Sequence, residues 1–323
     1  MHSTHHIVFP TWEGVLMGGC CDYIEQHVLD NPFFLRYTSF INKSIKSLGA
    51  ILVFVVYGIT ALLTFTSFAI ILPHEQWYQP APLLFLYSFI GSILLVNIMF
   101  HYYKARTIAP IATPSKESNR WCHTCQHYKS LRTHHCGVCQ RCVLGMDHHC
   151  IWINQCVGAH NHRHFFLFIC NLTVASFIIV TAGFNSVVDH IFEHTAEHNF
   201  CNSKLEFAPL QGWICQYDGF ARNSVIFTYF LSLLLMLLVG FLTAWNMFLI
   251  SKGFTYIDYL RHSDMLQDCP TYRNPLNKGF ANNWKNFLGL RRNRRMWRHV
   301  LLPSSHPPFI QEYPIKDESY EVV

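Results

Sequence analysis

The stretch CHTCQHYKSLRTHHCGVCQRCVLGMDHHCIWINQC, residues 122–156, states one pattern twice. Cys122, Cys125, His135 and Cys142 run in the order cysteine, two residues, cysteine, nine residues, histidine, six residues, cysteine. Adding fourteen to each number lands on Cys136, Cys139, His149 and Cys156. Zinc takes four tetrahedral sulfur or nitrogen ligands, and two cysteines three apart close a knuckle around one ion. The repeat therefore predicts two structural zinc sites, the first on Cys122, Cys125, His135 and Cys142, the second on Cys136, Cys139, His149 and Cys156. The loop is poor in aliphatic residues, so metal has to supply its folding free energy. A third set, fourteen residues further on, would need Cys150, Ile153, Arg163 and Cys170; only its first and last members can bind metal, and it cannot close.

Cys150 is left without a structural assignment. With His149 bound to metal, Cys150 is pinned beside a folded site while its own thiol stays available. A thiolate is the attacking species, and a neighbouring histidine lowers the thiol pKa from about 8.5. His148 is the available base, and Asp147 can orient its imidazole. Cys150, His148 and Asp147 are thus the candidate catalytic residues. Spacing alone leaves two plainer readings open, Cys150 as a spare ligand and His148 as a surface histidine.

Outward from this loop the chain turns apolar. Of 323 residues 51% are hydrophobic and 13% charged, against roughly 25% charged in a soluble domain. Four stretches, Leu48 to Leu72, Pro82 to Tyr103, Phe165 to Val188 and Ser224 to Ile250, carry almost no charge, and each is long enough to cross about 30 Å of hydrocarbon as a helix. The first 47 residues show no basic segment followed by an apolar run and a small-residue cleavage site, so no cleaved signal peptide is expected. Lysines and arginines number 3 before the first stretch, none between first and second, 8 before the third, 2 before the fourth and 11 after it. Positive loops stay cytosolic, which predicts cytosolic termini and a cytosolic central loop. Trp77 and Tyr78, in the uncharged loop, suit the opposite interface.

The expected architecture is an all-α polytopic membrane protein, with four transmembrane helices and a small two-zinc cysteine-rich cytosolic domain. Its divisions are a cytosolic N-terminal segment at 1–47, the first two spans within 48–103 and the zinc domain at 104–164. The last two spans with a lumenal loop at 189–223 fill 165–250, and a cytosolic C-terminal segment covers 251–323. Seven of the 13 cysteines lie between Cys122 and Cys156, and in a reducing cytosol such a cluster binds metal or does chemistry. Cys201 and Cys215 fall in the lumenal loop, where a disulfide and two unpaired thiols are equally compatible with the sequence. The adjacent Cys20 and Cys21 read as surface thiols or as acylation sites. The basic run from Arg291 to Arg298 includes Trp297; on the cytosolic side of a membrane its expected attraction is to anionic lipid, not nucleic acid.

Around Asp147-His148-His149-Cys150 the sequence resembles the DHHC-type zinc-finger protein S-acyltransferase (palmitoyltransferase) family. The likeness extends to Arg132-Thr133-His134-His135-Cys136, to the run from Cys142 to Asp147, to Asn154-Gln155-Cys156-Val157-Gly158, and to Asn161 and Phe165. Phe100-His101-Tyr102-Tyr103, Leu249-Ile250-Ser251, Arg273-Asn274-Pro275 and the run from Leu301 to His306 resemble one branch of that family.

The resemblance implies a two-step reaction in which Cys150 takes an acyl group from palmitoyl-CoA and passes it to cysteines of protein substrates. The implied partners are membrane-associated proteins with cytosolic cysteines, fatty acyl-CoA and the lipid bilayer. It also implies coenzyme A phosphates near Lys129, Arg132 and His134, and an acyl cavity involving Trp152, Phe165 and Ala175, where the small Ala175 would admit longer chains. The branch resemblance implies the endoplasmic reticulum membrane, with the Golgi as the alternative. Asn283, flanked by Gly279 and Gly289, matches the asparagine of the family's C-terminal motif and would anchor that segment.

Some positions depart from the family. Ile151 and Ser130 stand where proline is common, Ile108-Ala109-Pro110-Ile111 replaces Asp-Pro-Gly, and Thr255-Tyr256-Ile257-Asp258 replaces Thr-Thr-x-Glu. Ile151 lacks the φ restriction of proline, which implies a less rigid nucleophile, hence lower activity or dependence on a partner. A membrane-anchored zinc module without catalysis would share the spans and metal sites but gives no reason for Cys150 beside His148. An inactive regulator of a related enzyme is the other rival that Ile151 and the partial threonine motif keep open.

Overall fold

The computed structural model describes residues 32–115, 118–192, 205, 208–217, 219–291 and 293–310; Cys20, Cys21 and Cys201 lie outside them. Helix α1 (Pro32–Thr66) passes through a π-helical turn (Ser67–Ile71) into the short α2 (Leu72–Glu75), and α3 (Ala81–Thr107) returns. The central domain follows, then α4 (His162–Ala182), α5 (Phe184–Phe192), α6 (Gln211–Ile214) and α7 (Phe220–Lys252). The C-terminal segment holds α8 (Tyr256–Asp268), α9 (Phe280–Phe287) and α10 (Met296–His299).

Four continuous helical stretches are long and apolar enough to cross a membrane: Arg36–Glu75, Ala81–Thr107, His162–Ala182 and Phe220–Lys252. α4 is the centre of the bundle and packs along both α3 and α7. Apolar side chains such as Phe54, Phe85 and Phe241 are about three-quarters exposed (77, 75 and 76%). In water that would be a liability, and in hydrocarbon it is the favoured surface. α3 begins after the extended Pro80, with proline in its first turn, where a missing N–H costs nothing. α7 stops at Gly253, whose φ of +76° suits glycine.

The first helix starts sixteen residues ahead of the apolar stretch that predicted it. Its polar first turns rest on the central domain: a Cβ on Gly137 would come within 3.0 Å of Asn42 Nδ2, and one on Gly49 within 2.5 Å of Asn154. Tertiary contact, not apolar periodicity, extends this helix.

The central domain contains three two-stranded antiparallel hairpins; among the described residues the other regular elements are helices. They are β1 (Trp121–Cys122) with β2 (His127–Tyr128), β3 (Thr133–Cys136) with β4 (Arg141–Leu144), and β5 (His148–Cys150) with β6 (Gln155–Val157). Their registers repeat: Cys122 faces His127, Cys136 faces Arg141 and Cys150 faces Gln155. Each turn carries one residue at positive φ in the same place, Gln126 (+56°), Gln140 (+53°) and Asn154 (+50°). The fourteen-residue repeat is therefore a repeat of hairpins, and it runs three times.

Buried Asn161 ties this domain to the bundle. Its Nδ2 donates to the carbonyls of Ala105 and Cys156, both at 2.8 Å, and its Oδ1 accepts from Gly158 N–H at 2.9 Å. Gln155 Nε2 reaches the Arg106 carbonyl at 3.3 Å, and Tyr102 OH donates to the Trp152 carbonyl at 2.9 Å. The third hairpin is thereby fixed to the end of α3. On the opposite side of the bundle Cys215 is disulfide-bonded, and the other described cysteines are free.

Candidate metal centres and active site

Each metal centre draws on two hairpins. The β1–β2 turn supplies Cys122 and Cys125, and His135 and Cys142 face each other across β3 and β4. The β3–β4 turn then supplies Cys136 and Cys139 to the second centre, completed by His149 and Cys156 across β5 and β6. The middle hairpin thus lends its strands to one centre and its turn to the other. Within each set the four ligand atoms lie within 4.8 Å of one another.

The donors fit zinc. Bonds of 2.3 Å to sulfur and 2.0–2.1 Å to nitrogen at tetrahedral angles place S and N roughly 3.6 Å apart. In the first centre His135 Nδ1 lies 3.3 Å from Cys125 Sγ and 3.7 Å from Cys122 Sγ. In the second, His149 Nδ1 lies 3.4, 3.7 and 3.6 Å from the sulfurs of Cys139, Cys136 and Cys156. Cys125 and Cys139 N–H groups point at the sulfurs of Cys122 and Cys136 at 3.4 Å, an arrangement that favours thiolate.

In the third hairpin Cys150 takes the place that Cys122 and Cys136 hold in the first two. The position three residues on is Ile153, fully buried, and no second sulfur faces the turn. Cys150, 8% exposed, is packed with Ile98, Tyr102, Ile153, Phe165 and Ile169. Leu172 and Ala175 border this cluster and also line, with Ile98, an apolar cavity among α1, α3 and α4. The cavity runs along α3 from Ile98 to Tyr87, about 16 Å of helix. Phe165 packs with the thiol in this cluster and Ala175 lines the cavity, whereas the Trp152 side chain is 53% exposed; neither Phe165 nor Trp152 is among the lining residues.

Asp147, His148 and Cys150 come together at the bundle surface. His148 Nδ1 is 2.8 Å from Asp147 Oδ2, and the His148 ring meets the Phe165 ring edge-on at 5.3 Å. Burial opposes charge on His148, but hydrogen bonds to Asp147 and Cys150 outweigh it and lift the imidazole pKa to about 10. Burial likewise opposes the Asp147 carboxylate; His162, His148 and the Tyr256 N–H overcome it and hold that group down at about 2. An ionised aspartate beside a protonated imidazole is the state these shifts favour at neutral pH.

The helix after the last span closes the site. Thr255 and Asp258 form a capping box at the start of α8, and the N–H of Tyr256 donates to Asp147 Oδ1 at 2.6 Å. Asp147 thus sits on the positive end of a helix. Asp258 also receives Arg132 through Nη2 at 2.6 Å and Nε at 3.3 Å, a bidentate pair. Arg132, implied by the resemblance near the coenzyme A phosphates, and the partial motif from Thr255 to Asp258 meet in this pair. The signal was faint, since it consisted of one carboxylate at the third position after a capping threonine.

Of the other two expected phosphate ligands, Lys129 is 6% exposed, and burial together with Arg120 depresses the His134 pKa to about 4. His134 is neutral at pH 7. Positive charge near it comes from Arg120, Lys129 and Arg261, and Arg120 and Arg261 carry no motif in the sequence that marks them out. Asn283 lies 3% exposed and joins its Nδ2 to the Ser251 carbonyl at 2.9 Å, holding α9 to the end of α7.

Comparison with known proteins matches this arrangement to a family. The model of the DHHC palmitoyltransferase family matches residues 115–263, from the segment before the first hairpin into α8. Palmitoyltransferase ZDHHC16 of Mus musculus is 32% identical over 278 residues, covering 83% of this chain and 74% of its own. The Homo sapiens protein of the same name is 31% identical over 285 residues, with 83% and 75% covered. Palmitoyltransferase ZDHHC16A of Danio rerio is 28% identical over 326 residues, with 89% and 82% covered. Likeness of this extent, spanning bundle, metal centres and α8 together, makes the chain a member of the DHHC palmitoyltransferase family.

Proposed function

We propose that this protein S-palmitoyltransferase works through an acyl-enzyme on Cys150. The Cys150 thiolate attacks the thioester carbonyl of palmitoyl-CoA, a new carbon–sulfur bond forms, and the coenzyme A thiolate leaves and takes up a proton held by His148. A cysteine of a membrane-associated protein then attacks the Cys150 thioester; His148 accepts the incoming thiol's proton, and the acyl group departs on the substrate. Asp147 keeps the His148 ring oriented and stabilises its charge. The metal centres supply rigidity alone. Zinc, when bound, holds the hairpins.

The observation that carries this reading is Cys150 itself. It occupies a knuckle position that belongs to neither metal centre, beside His148 and Asp147, in an apolar cluster whose neighbours Leu172 and Ala175 line a cavity within the bundle. Arg120, Lys129 and Arg261 are favoured for the coenzyme A phosphates, with Arg132 committed to Asp258. The surplus of lysine and arginine in segments 1–47, 104–164 and 251–323 favours a cytosolic catalytic domain and cytosolic termini. The branch resemblance favours the endoplasmic reticulum membrane, with the Golgi as the alternative.

The test is purified protein incubated with labelled palmitoyl-CoA. A hydroxylamine-sensitive label on the unmodified chain, absent from Cys150→Ala, is the expected result; a label of equal strength on that variant would sink the mechanism.

A further inference from the structure

Between Cys269 and Ile310 the chain contains eight lysines and arginines and no aspartate or glutamate. Within it, Arg291, Arg295 and Arg298 are exposed and Arg294 partly so. Met296, Trp297, Leu301 and Leu302 are exposed among them, at 54, 56, 63 and 43%. In water such a mixture is costly, so its position relative to the bilayer decides what it does.

Three contacts fix that position. Asn97 of α3 donates its Nδ2 to the Leu301 carbonyl at 3.1 Å. Asn97 follows Ala81, the first residue of α3, by sixteen residues, about 24 Å of helix, which places it just inside the far edge of a hydrocarbon core about 30 Å thick. Arg163, fully buried at the start of α4, donates to the carbonyls of His299 (2.6 Å), Ser304 (3.0 Å) and His306 (3.2 Å). Val300 is buried against Phe166, Leu167 and Ile250. The backbone from His299 to His306 is therefore clamped onto the spans at the level where acyl chains meet headgroups, with Leu301 and Leu302 turned outward.

We infer that residues 291–302 form an interfacial anchor for anionic phospholipid. Met296, Trp297, Leu301 and Leu302 enter the upper part of one leaflet, and the guanidinium groups of Arg291, Arg294, Arg295 and Arg298 hold lipid phosphates. Guanidinium forks match phosphate bidentately, and tryptophan belongs at this depth. Arg291 is also presented by the Phe309 ring, 4.1 Å from its guanidinium carbon.

The test uses full-length protein in nanodiscs of phosphatidylcholine, with or without about a quarter of phosphatidylserine, in which the lipid is brominated near the top of the acyl chain. Trp297 emission is taken as the difference between the unmodified chain and Trp297→Phe. Quenching of this component by brominated lipid in both discs, and more strongly with phosphatidylserine, is expected. Each arginine near an anionic surface is worth roughly a fivefold change in lipid enrichment. Changing Arg291, Arg294, Arg295 and Arg298 together to glutamine should accordingly abolish the phosphatidylserine-dependent part. Leu301→Ser with Leu302→Ser should weaken quenching in both discs. Trp297 quenched by aqueous iodide and not by brominated lipid would overturn the anchor, and quenching indifferent to phosphatidylserine would overturn its anionic recognition.

Discussion

The second and third hairpins share a register, a turn with one residue at positive φ, and a cysteine at its first corner. In the second, Cys136 meets Cys139 and helps to make a metal centre; in the third, Cys150 meets Ile153 and lies against the lipid-embedded bundle. A thiol exchanged for an apolar side chain turns a knuckle into a holder for a reactive sulfur. The proposed nucleophile thus occupies the equivalent of a metal-ligand position without a partner sulfur, beside the candidate metal centre one hairpin earlier.

The largest effect is expected from Cys139→Ser. Zinc measured by elemental analysis should fall from two ions to one per chain, and Cys150 acylation should vanish because the third hairpin loses its fixed point. Structural zinc contributes about 10–16 kcal/mol in small domains, more than the remaining contacts can replace. Cys150→Ala should give the opposite signature, with acylation lost and both ions retained. Equal zinc loss in the two variants would show that the hairpins are not divided as described.

A smaller effect is expected one residue pair away. Asp147→Asn keeps the hydrogen bonds in outline but removes the charge that holds His148 protonated, and single-turnover acylation should slow by about 10²- to 10⁴-fold with zinc unchanged. Ile153→Cys restores the knuckle pair in the third turn. Losing the buried isoleucine should destabilise the domain by about 1–2 kcal/mol. In air-equilibrated buffer, dissolved oxygen should take two electrons and two protons from the new thiol and Cys150, and the resulting disulfide should suppress acylation until reductant is added, whereas Ile153→Val should leave acylation intact.

The smallest effect tests the turns. Gln140→Gly and Asn154→Gly both relieve a side chain at positive φ, and Gln140→Gly should raise thermal stability more, by up to about 1 kcal/mol, because asparagine tolerates that conformation better.

The two candidate ligand sets were legible in the sequence because a tetrahedral ion demands fixed spacing, and the structure gathers each set within 4.8 Å. The four spans were legible because hydrocarbon demands length and apolarity. The hairpins were not, since strands of two to four residues are too short to show alternation. Nor could the sequence disclose that Arg132 meets Asp258 across 126 positions, or that Tyr256 caps Asp147. Both contacts depend on how the last span returns the chain to the central domain. Trp152, which the family resemblance implied for the acyl cavity, stands half exposed in the third turn, a placement that depends on the hairpin and not on the neighbouring sequence.

The middle hairpin, lending strands to one ion and a turn to the other, couples the two sites like links of a chain under load. With Cys150 as the proposed nucleophile, its presentation would require both links to be closed. While both sites are far from saturation, the fraction of competent molecules follows the product of two occupancies and falls with the square of available zinc. Scarcity of the metal would therefore silence the enzyme more steeply than a single structural site could.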